Sequence, residues 1–594
     1  MFTTRPELQG TFGMVSSTHW IASAVGMSIL EGGGNAFDAA VATGLTLQVV
    51  EPHLNGPAGE VPVMLYDASQ DRVEVIAGQG PAPAAASIER FRELGLDRVP
   101  GTGLLPACVP AAFDTWMRLG RDRGRLELRE LIEPAIGYAR SGVPVVAKMA
   151  ATIGGVEQLF REEWPTSAQL WLRDGTPRAG GWLTNPVLAE TYRRILEEAE
   201  AASADRDGRF QAARDAFYRG FVAEAIDRFT RTTEHVDTSG RSHAGLLTAD
   251  DLAAFEVATE EPLSVDHHGW TVYKPDTWSQ APVFLQQLRL LEGFDLGDTG
   301  PTDPRFLHLV VEAAKLAFAD REAWYGDPRF VDVPIETLLS QAYAEERRRL
   351  IGDAASFELR PGAPDGRDPI LPPELPEIDG SGSALGGIGE PTVSADGRVA
   401  GDTTHLDVVD RDGNFVTATP SGGWLQSSPV IPELGFALGT RGQMFWLEEG
   451  HPNALAGGKR PRTTLTCTLA RRDGPVRLAF GTPGGDRQDQ WSLVFFLRHV
   501  HHGMNLQEAI DAPTFHSAHF PSSFFPRGSS PGEVILEGRF PREAIDGLLD
   551  RGHRVSIADD WALGRLTAVG ADGDPAPFKA AANPRGMQSY AVGR

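Results

Sequence analysis

Cysteine is nearly absent from this 594-residue chain: only Cys108 and Cys467 occur, far apart in sequence. Two such residues build neither a disulfide framework nor a metal-ligand spacing. Basic residues are in deficit as well, 55 against 80 acidic ones, for a net charge of −25. That balance argues against nucleic acid and anionic membranes as partners, since both require a positively charged footprint. No apolar run approaches the roughly 20 residues of a membrane-spanning helix. The opening Met1-Phe2-Thr3-Thr4-Arg5-Pro6-Glu7-Leu8 lacks the apolar stretch of a secretory signal. A soluble cytoplasmic protein is therefore expected, with no metal and no organic cofactor. His-Glu-x-x-His is missing too, which removes the helix-borne zinc proteases.

What is present describes a globular protein, with 41% apolar and 23% charged residues. Its length calls for two domains or one elaborate layered domain. Residues 21–30 and 36–50 read as helices separated by Gly32-Gly33-Gly34, with Asn35 capping the second. The order of strand, glycines and helix is wrong for a dinucleotide site. Residues 61–66 and 73–77 read as a hairpin, and a mainly helical stretch follows from about 88 to 350. Within it, Asp303-Pro304 opens a helix whose Phe306, Leu309, Val310, Ala313 and Ala317 form one buried face. Arg305, Glu312 and Asp320 on that helix read as solvated or structural. From residue 360 to 402 proline and glycine dominate, a connection without a core-forming pattern. Strands are expected at 404–410, 414–419, 464–471 and 476–481, then helices at 487–502 and 540–552. Strands flanked by helices on either side of that connection predict one sandwich shared by both segments.

The connection ends at a threonine pair, Thr403-Thr404, on the lip of the first of these strands. A threonine hydroxyl is a weak nucleophile unless a base stands beside it. If the chain is cut between Asp402 and Thr403, the new α-amino group of Thr403 becomes that base. A Thr-Thr pair by itself is an ordinary strand feature, so the context matters. Ser421 falls at the end of the neighbouring expected strand, where its hydroxyl can hold the Thr403 amine. Gly484 and Gly485 form a turn whose backbone N–H groups can converge on a developing oxyanion, or simply make a β-turn. Thr463 and Thr464 add two hydroxyls. His499, His501 and His502 end a predicted helix, where cationic side chains complement the dipole and a metal site lacks a carboxylate at fixed spacing. His405 sits next to the threonine pair, but on a strand it faces away from Thr404.

Several runs in order along nearly the whole chain resemble the γ-glutamyltranspeptidase family of N-terminal-nucleophile (Ntn) hydrolases. They include Gly33-Gly34-Asn35-Ala36-Phe37-Asp38, Glu312-Ala313-Ala314-Lys315 with Ala319-Asp320-Arg321, and Gly326-Asp327-Pro328. Thr403-Thr404-His405, Gly458-Lys459-Arg460-Pro461 and Thr482-Pro483-Gly484-Gly485 continue the series. The resemblance implies an α/β fold, a four-layer αββα sandwich built jointly by a large segment, 1–402, and a small one, 403–594. It implies self-cleavage between Asp402 and Thr403, with the two fragments remaining together as an αβ heterodimer or its dimer. Thr403 would be the nucleophile, Ser421 its partner, and Gly484 with Gly485 the oxyanion hole.

The donor pocket departs from the family. Gln79 stands where an arginine would pair with a glutamyl α-carboxylate, and Gly423 replaces an asparagine. Gln443 is kept, but Trp446 replaces the acidic residue that binds the α-amino group. Thr463 and Thr464 replace two serines. Charge-assisted hydrogen bonds are worth roughly 1.5–3 kcal/mol each, so a glutamyl headgroup is disfavoured. The short segment from Gln443 to Lys459, with Phe445-Trp446-Leu447, predicts an uncovered pocket with aromatic walls. The expected activity is cleavage of an amide-type bond in a non-glutamyl small molecule through an acyl-enzyme. The alternatives are a genuine γ-glutamyltransferase, an oxamate-type amidohydrolase or oxalate-releasing C–C hydrolase of alkylproline biosynthesis, and a catalytically silent binding homologue.

Overall fold

The computed structural model describes residues 2–371, 403–571 and 577–594. Most of the proline- and glycine-rich connection, and Asp402 with it, lies outside the described residues. Two seven-stranded sheets stack face to face. One runs in the order Leu8–Gly10, Phe578–Ala582, Thr567–Ala571, Val476–Gly481, Thr468–Arg471, Trp270–Lys274 and Leu263–His267. The other runs Tyr590–Gly593, Gly13–Ser17, Leu406–Asp410, Phe415–Ala418, Val63–Asp67, Arg72–Ile76 and Thr259–Glu260. Every pairing within these two sheets is antiparallel. Strands from before and after position 403 are interleaved in both sheets, so neither segment owns a sheet.

Alternation along the strands explains the layering. Leu406 and Val408 point into a core shared with the helices Trp20–Glu31 and Ala36–Val50, whereas Val409 points between the sheets. On the facing sheet Leu478 and Phe480 pack against the helices Pro282–Leu291, Pro304–Trp324 and Gln488–His502, while Ala479 turns inward. Strands buried on both faces must be apolar in consecutive positions, which is why these segments read as unbroken hydrophobic runs. The result is an αββα sandwich.

Local signals account for the helix starts. Asn35 accepts from Phe37 and Asp38 N–H groups and forms a capping box with Asp38. Asp303 caps Arg305, with Pro304 at the first helical position. The expectation of one buried face on that helix is corrected: every residue from Phe306 to Trp324 is buried. The helix is covered on all sides, so its polar residues must pair internally. Glu312 accepts from Lys315 Nζ at 2.6 Å, and Asp320 accepts from the Gly362 N–H at 2.7 Å. Arg305 alone of the three polar residues singled out is exposed. The helical middle also contains the hairpin Leu263–His267/Trp270–Lys274, which the sequence reading passed over. Among the described residues no helix is long and apolar enough to cross a membrane.

Candidate active site

Thr403 lies just before the strand Leu406–Asp410, and Ser421 just after its neighbour Phe415–Ala418. The two residues form an antiparallel bridge, and Ser421 bridges Glu60 on its other side. The Thr403 and Ser421 hydroxyl oxygens stand 3.1 Å apart, within hydrogen-bond distance. Thr404 fixes this edge, donating from both its N–H and its hydroxyl to the Pro420 carbonyl.

His405 is oriented into the layer between the sheets. Its Nδ1 lies 2.9 Å from the Thr419 hydroxyl and its Nε2 3.0 Å from Asp407, which in turn accepts from Thr567 on the opposite sheet at 2.7 Å. The ring fills the space above Gly481, where a Cβ would meet it at 2.3 Å. His405 therefore joins the two sheets and leaves the threonine hydroxyl to other groups.

Gly481 ends its strand, and the Gly484-Gly485 turn follows at the same end of the sandwich. Gly484 has φ 133° and Gly485 φ 56°, backbone states that side chains resist. A Cβ on Gly485 would lie 2.9 Å from the Phe524 ring, and one on Gly484 2.3 Å from Trp491. The turn opens the 3-10 segment Gly485–Arg487, which runs into the helix Gln488–His502, so its N–H groups sit at a helix N-terminus. Asp486 anchors the turn from below: it pairs with buried Arg321 and accepts from Ser523 Oγ at 2.6 Å. Burial alone would raise this carboxyl, but Arg321 and Ser523 more than offset it and hold its pKa low.

Phe524 connects the turn to a group the sequence reading missed. With Trp424 and Met444 it forms a small apolar cluster. The Arg441 guanidinium lies 5.1 Å from the Trp424 ring centroid and 5.6 Å from that of Phe524. Arg441 donates through Nη2 to Ser421 Oγ at 2.5 Å and through Nε to Glu60. Its Nη1 is buried without a hydrogen-bond partner among the described residues. A basic residue two positions before Gln443 was the available signal, and it carried little weight because nothing nearby in sequence is acidic.

The remaining pocket positions divide. Gln443 is placed centrally, accepting from the Phe525 N–H and donating to the Gly101 carbonyl, each at 3.1 Å. Gly423 has φ 61°, and a Cβ there would lie 2.9 Å from the Gly59 nitrogen, so no larger residue fits. Thr463 is locked by backbone bonds to Trp278 and Gln280, whereas the buried Thr464 hydroxyl has no partner among the described residues. Gln79 donates to the Gly80 carbonyl at 3.0 Å. Trp446 carries the Arg527 guanidinium 3.9 Å from its ring centroid, and Arg527 is held by the Gln443 and Phe445 carbonyls.

The expected open pocket is corrected. Phe445 and Leu447 turn into a core cluster with Ala82, Phe91 and Leu105, and Thr403 is only 1% exposed. The histidines at the end of Gln488–His502 are also revised. Burial lowers His501 to about 4, so it is uncharged at neutral pH and cannot complement the helix dipole. Its Nε2 faces that of His267 at 2.9 Å, while His499 and His502 bond the Met504 and Leu296 carbonyls. His267, His268 and His501 converge closely enough to hold an ion, whereas His499 and His502 do not join them.

Two facing antiparallel sheets between helical layers, with a hydroxyl residue leading a central strand beside a glycine turn, define an Ntn-hydrolase sandwich. The family model for Gamma-glutamyltranspeptidase matches residues 22–593, and the chain belongs to that family and is an enzyme of its hydrolase and acyl-transfer class. It is 30% identical to the Glutathione hydrolase-like YwrD proenzyme of Bacillus subtilis over 97% of this chain and 98% of that one. It is 31% identical to the Oxamate amidohydrolase proenzyme of Klebsiella pneumoniae over 94% of each. Among solved structures, LmbA2991HD superposes with a TM-score of 0.93 at 52% identity over all of both chains. The cephalosporin acylase from Bacillus halodurans gives 0.81 at 27% identity, covering 100% of this chain and 97% of that one.

Proposed function

We propose that this enzyme is a self-processing threonine hydrolase that cleaves an amide-type bond in a small, non-glutamyl substrate. The carrying observation is the 3.1 Å pairing of the Thr403 and Ser421 hydroxyls at the head of the central strand. Cleavage before Thr403 frees its α-amine, which titrates near 8 and suits a general base. Thr403 Oγ attacks the carbonyl, the amine takes its proton, and the Gly484 and Gly485 N–H groups hold the oxyanion. The leaving amine departs protonated, and water resolves the ester on Thr403. The fragments 1–402 and 403–594 remain an αβ heterodimer because their strands interleave.

The non-glutamyl reading is supported by Trp446 and Arg527. A substrate ammonium would meet a guanidinium where the family resemblance places a carboxylate. Relatives named as an oxamate amidohydrolase and a cephalosporin acylase show that the family accommodates other acyl groups. The test is intact mass of the purified protein before and after exposure to acyl donors. The wild-type chain is expected as two fragments, the small one gaining an acyl mass at Thr403. A single unbroken chain with full activity, or strong γ-glutamyl anilide turnover, would overturn the proposal.

A further inference from the structure

Three histidines meet where the hairpin Leu263–His267/Trp270–Lys274 lies against the end of the helix Gln488–His502. His267 and Trp270 pair across the hairpin, so His268 and Gly269 alone make the turn. Both have positive φ, 48° and 79°, the pattern for which Asn-Gly is favoured. Turn geometry therefore does not call for histidine. His267 is 1% exposed; its Nε2 stands 2.9 Å from His501 Nε2, while its Nδ1 is buried without a partner among the described residues. Hydrogen bonding leaves that burial unexplained, since buried polar atoms are normally paired. The His268 ring meets His501 edge-on with centroids 4.3 Å apart, and one nitrogen of each ring lies within 4.8 Å of the others. The other such cluster, His308, Glu312 and His553, already holds cations, because Lys315 and Arg360 pair with Glu312 at 2.6 and 3.2 Å. Of the charges acting on the hairpin trio, Arg289 is neutralised by Glu292 at 3.0 Å, and Asp295 favours a cation.

We propose that His267, His268 and His501 form a binding site for a divalent transition-metal ion, zinc by its ligand chemistry, that clamps the hairpin to the helix. Imidazole suits zinc, copper and nickel, whereas magnesium and calcium require oxygen ligands. Zinc takes four ligands, and water supplies the fourth beside exposed His268. At bonds of about 2.1 Å, tetrahedral zinc holds its nitrogens about 3.4 Å apart. The 2.9 Å pair of Nε2 atoms therefore has to open by about half an ångström to admit the ion. His267 and His268 precede position 403 and His501 follows it, so the ion ties together segments that cleavage there would separate. The site does not depend on the reading of Thr403 as nucleophile. His267 and His501 are 234 positions apart, which is why the run of histidines at the helix end shows no ligand spacing by itself.

The experiment titrates zinc, and separately magnesium, into the full chain after chelator treatment, with calorimetry and thermal unfolding as readouts. The wild type is expected to bind a single zinc ion, to melt at a higher temperature with it, and to ignore magnesium. His268→Asn is the decisive variant, because asparagine is at home in the turn and the fold is kept. With chelator present its melting temperature should equal or exceed that of the wild type. Its zinc affinity should fall by more than about 100-fold, beyond the roughly 10- to 100-fold loss for groups that merely orient a ligand. His501→Gln should lose zinc to the same extent. Zinc binding of equal strength in the wild type and His268→Asn, or an equal response to magnesium, would overturn the site. Absence of zinc binding by the wild type overturns it without reference to any variant.

Discussion

Arg321, on the helix Pro304–Trp324, forms a fully buried ion pair with Asp486, the residue after the Gly484-Gly485 turn. A helix before position 403 thereby fixes a turn after it. Arg321→Gln strands a buried carboxylate and is expected to cost about 3–5 kcal/mol. Denaturant unfolding measures the loss. Adding Asp486→Asn should recover part of it, since the two residues act as one unit.

Gly485→Ala asks an alanine to adopt φ 56° with its methyl against Phe524. The predicted result is a folded protein whose kcat falls about 10²- to 10³-fold, the scale of losing one oxyanion donor. KM should change little. Steady-state kinetics on any donor that acylates Thr403 decide it, and an unchanged kcat counts against the oxyanion assignment.

Ser421→Ala removes a hydroxyl that lies between Thr403 and Arg441. Both self-cleavage and turnover are expected to slow, by about 10²-fold if Ser421 steadies proton transfer. Ser421→Thr, which keeps the oxygen, should restore most of the rate. Gel-based processing half-times and kcat provide the two readouts.

Asp327 anchors the Lys459-Arg460-Pro461 run that leads to Thr463 and Thr464, accepting from the Arg460 N–H at 2.9 Å and from its Nη2 at 3.0 Å. Burial would raise this carboxyl, but Arg329 and Arg460 prevail and hold it at about 2. A pKa depressed by folding gives stability that is fully present above the unfolded value near 4 and lost as pH falls through 2. The contribution is about 2 kcal/mol. Asp327→Asn should be less stable at pH 6 and show a flatter decline between pH 4 and 2, as measured by denaturant unfolding at each pH.

The sequence on its own determined the elements that frame the proposed site. Strands near 404–410 and 476–481 and the helix at 487–502 follow from apolar runs and glycine punctuation, and are found at Leu406–Asp410, Val476–Gly481 and Gln488–His502. The positions of Thr403, Ser421 and the glycine turn were legible because each lies at the end of such an element. The strands Thr567–Ala571, Phe578–Ala582 and Tyr590–Gly593 were not legible, being short and rich in alanine and glycine. Only the tertiary structure decided that Glu60 and Arg441, 381 positions apart, share one ion pair beside Ser421. It likewise decided that Arg527 lies over Trp446, and that His405 braces the sheets. Local sequence fixes backbone conformation through neighbouring residues. The partner of a buried charge is chosen by chain packing, which no local pattern records.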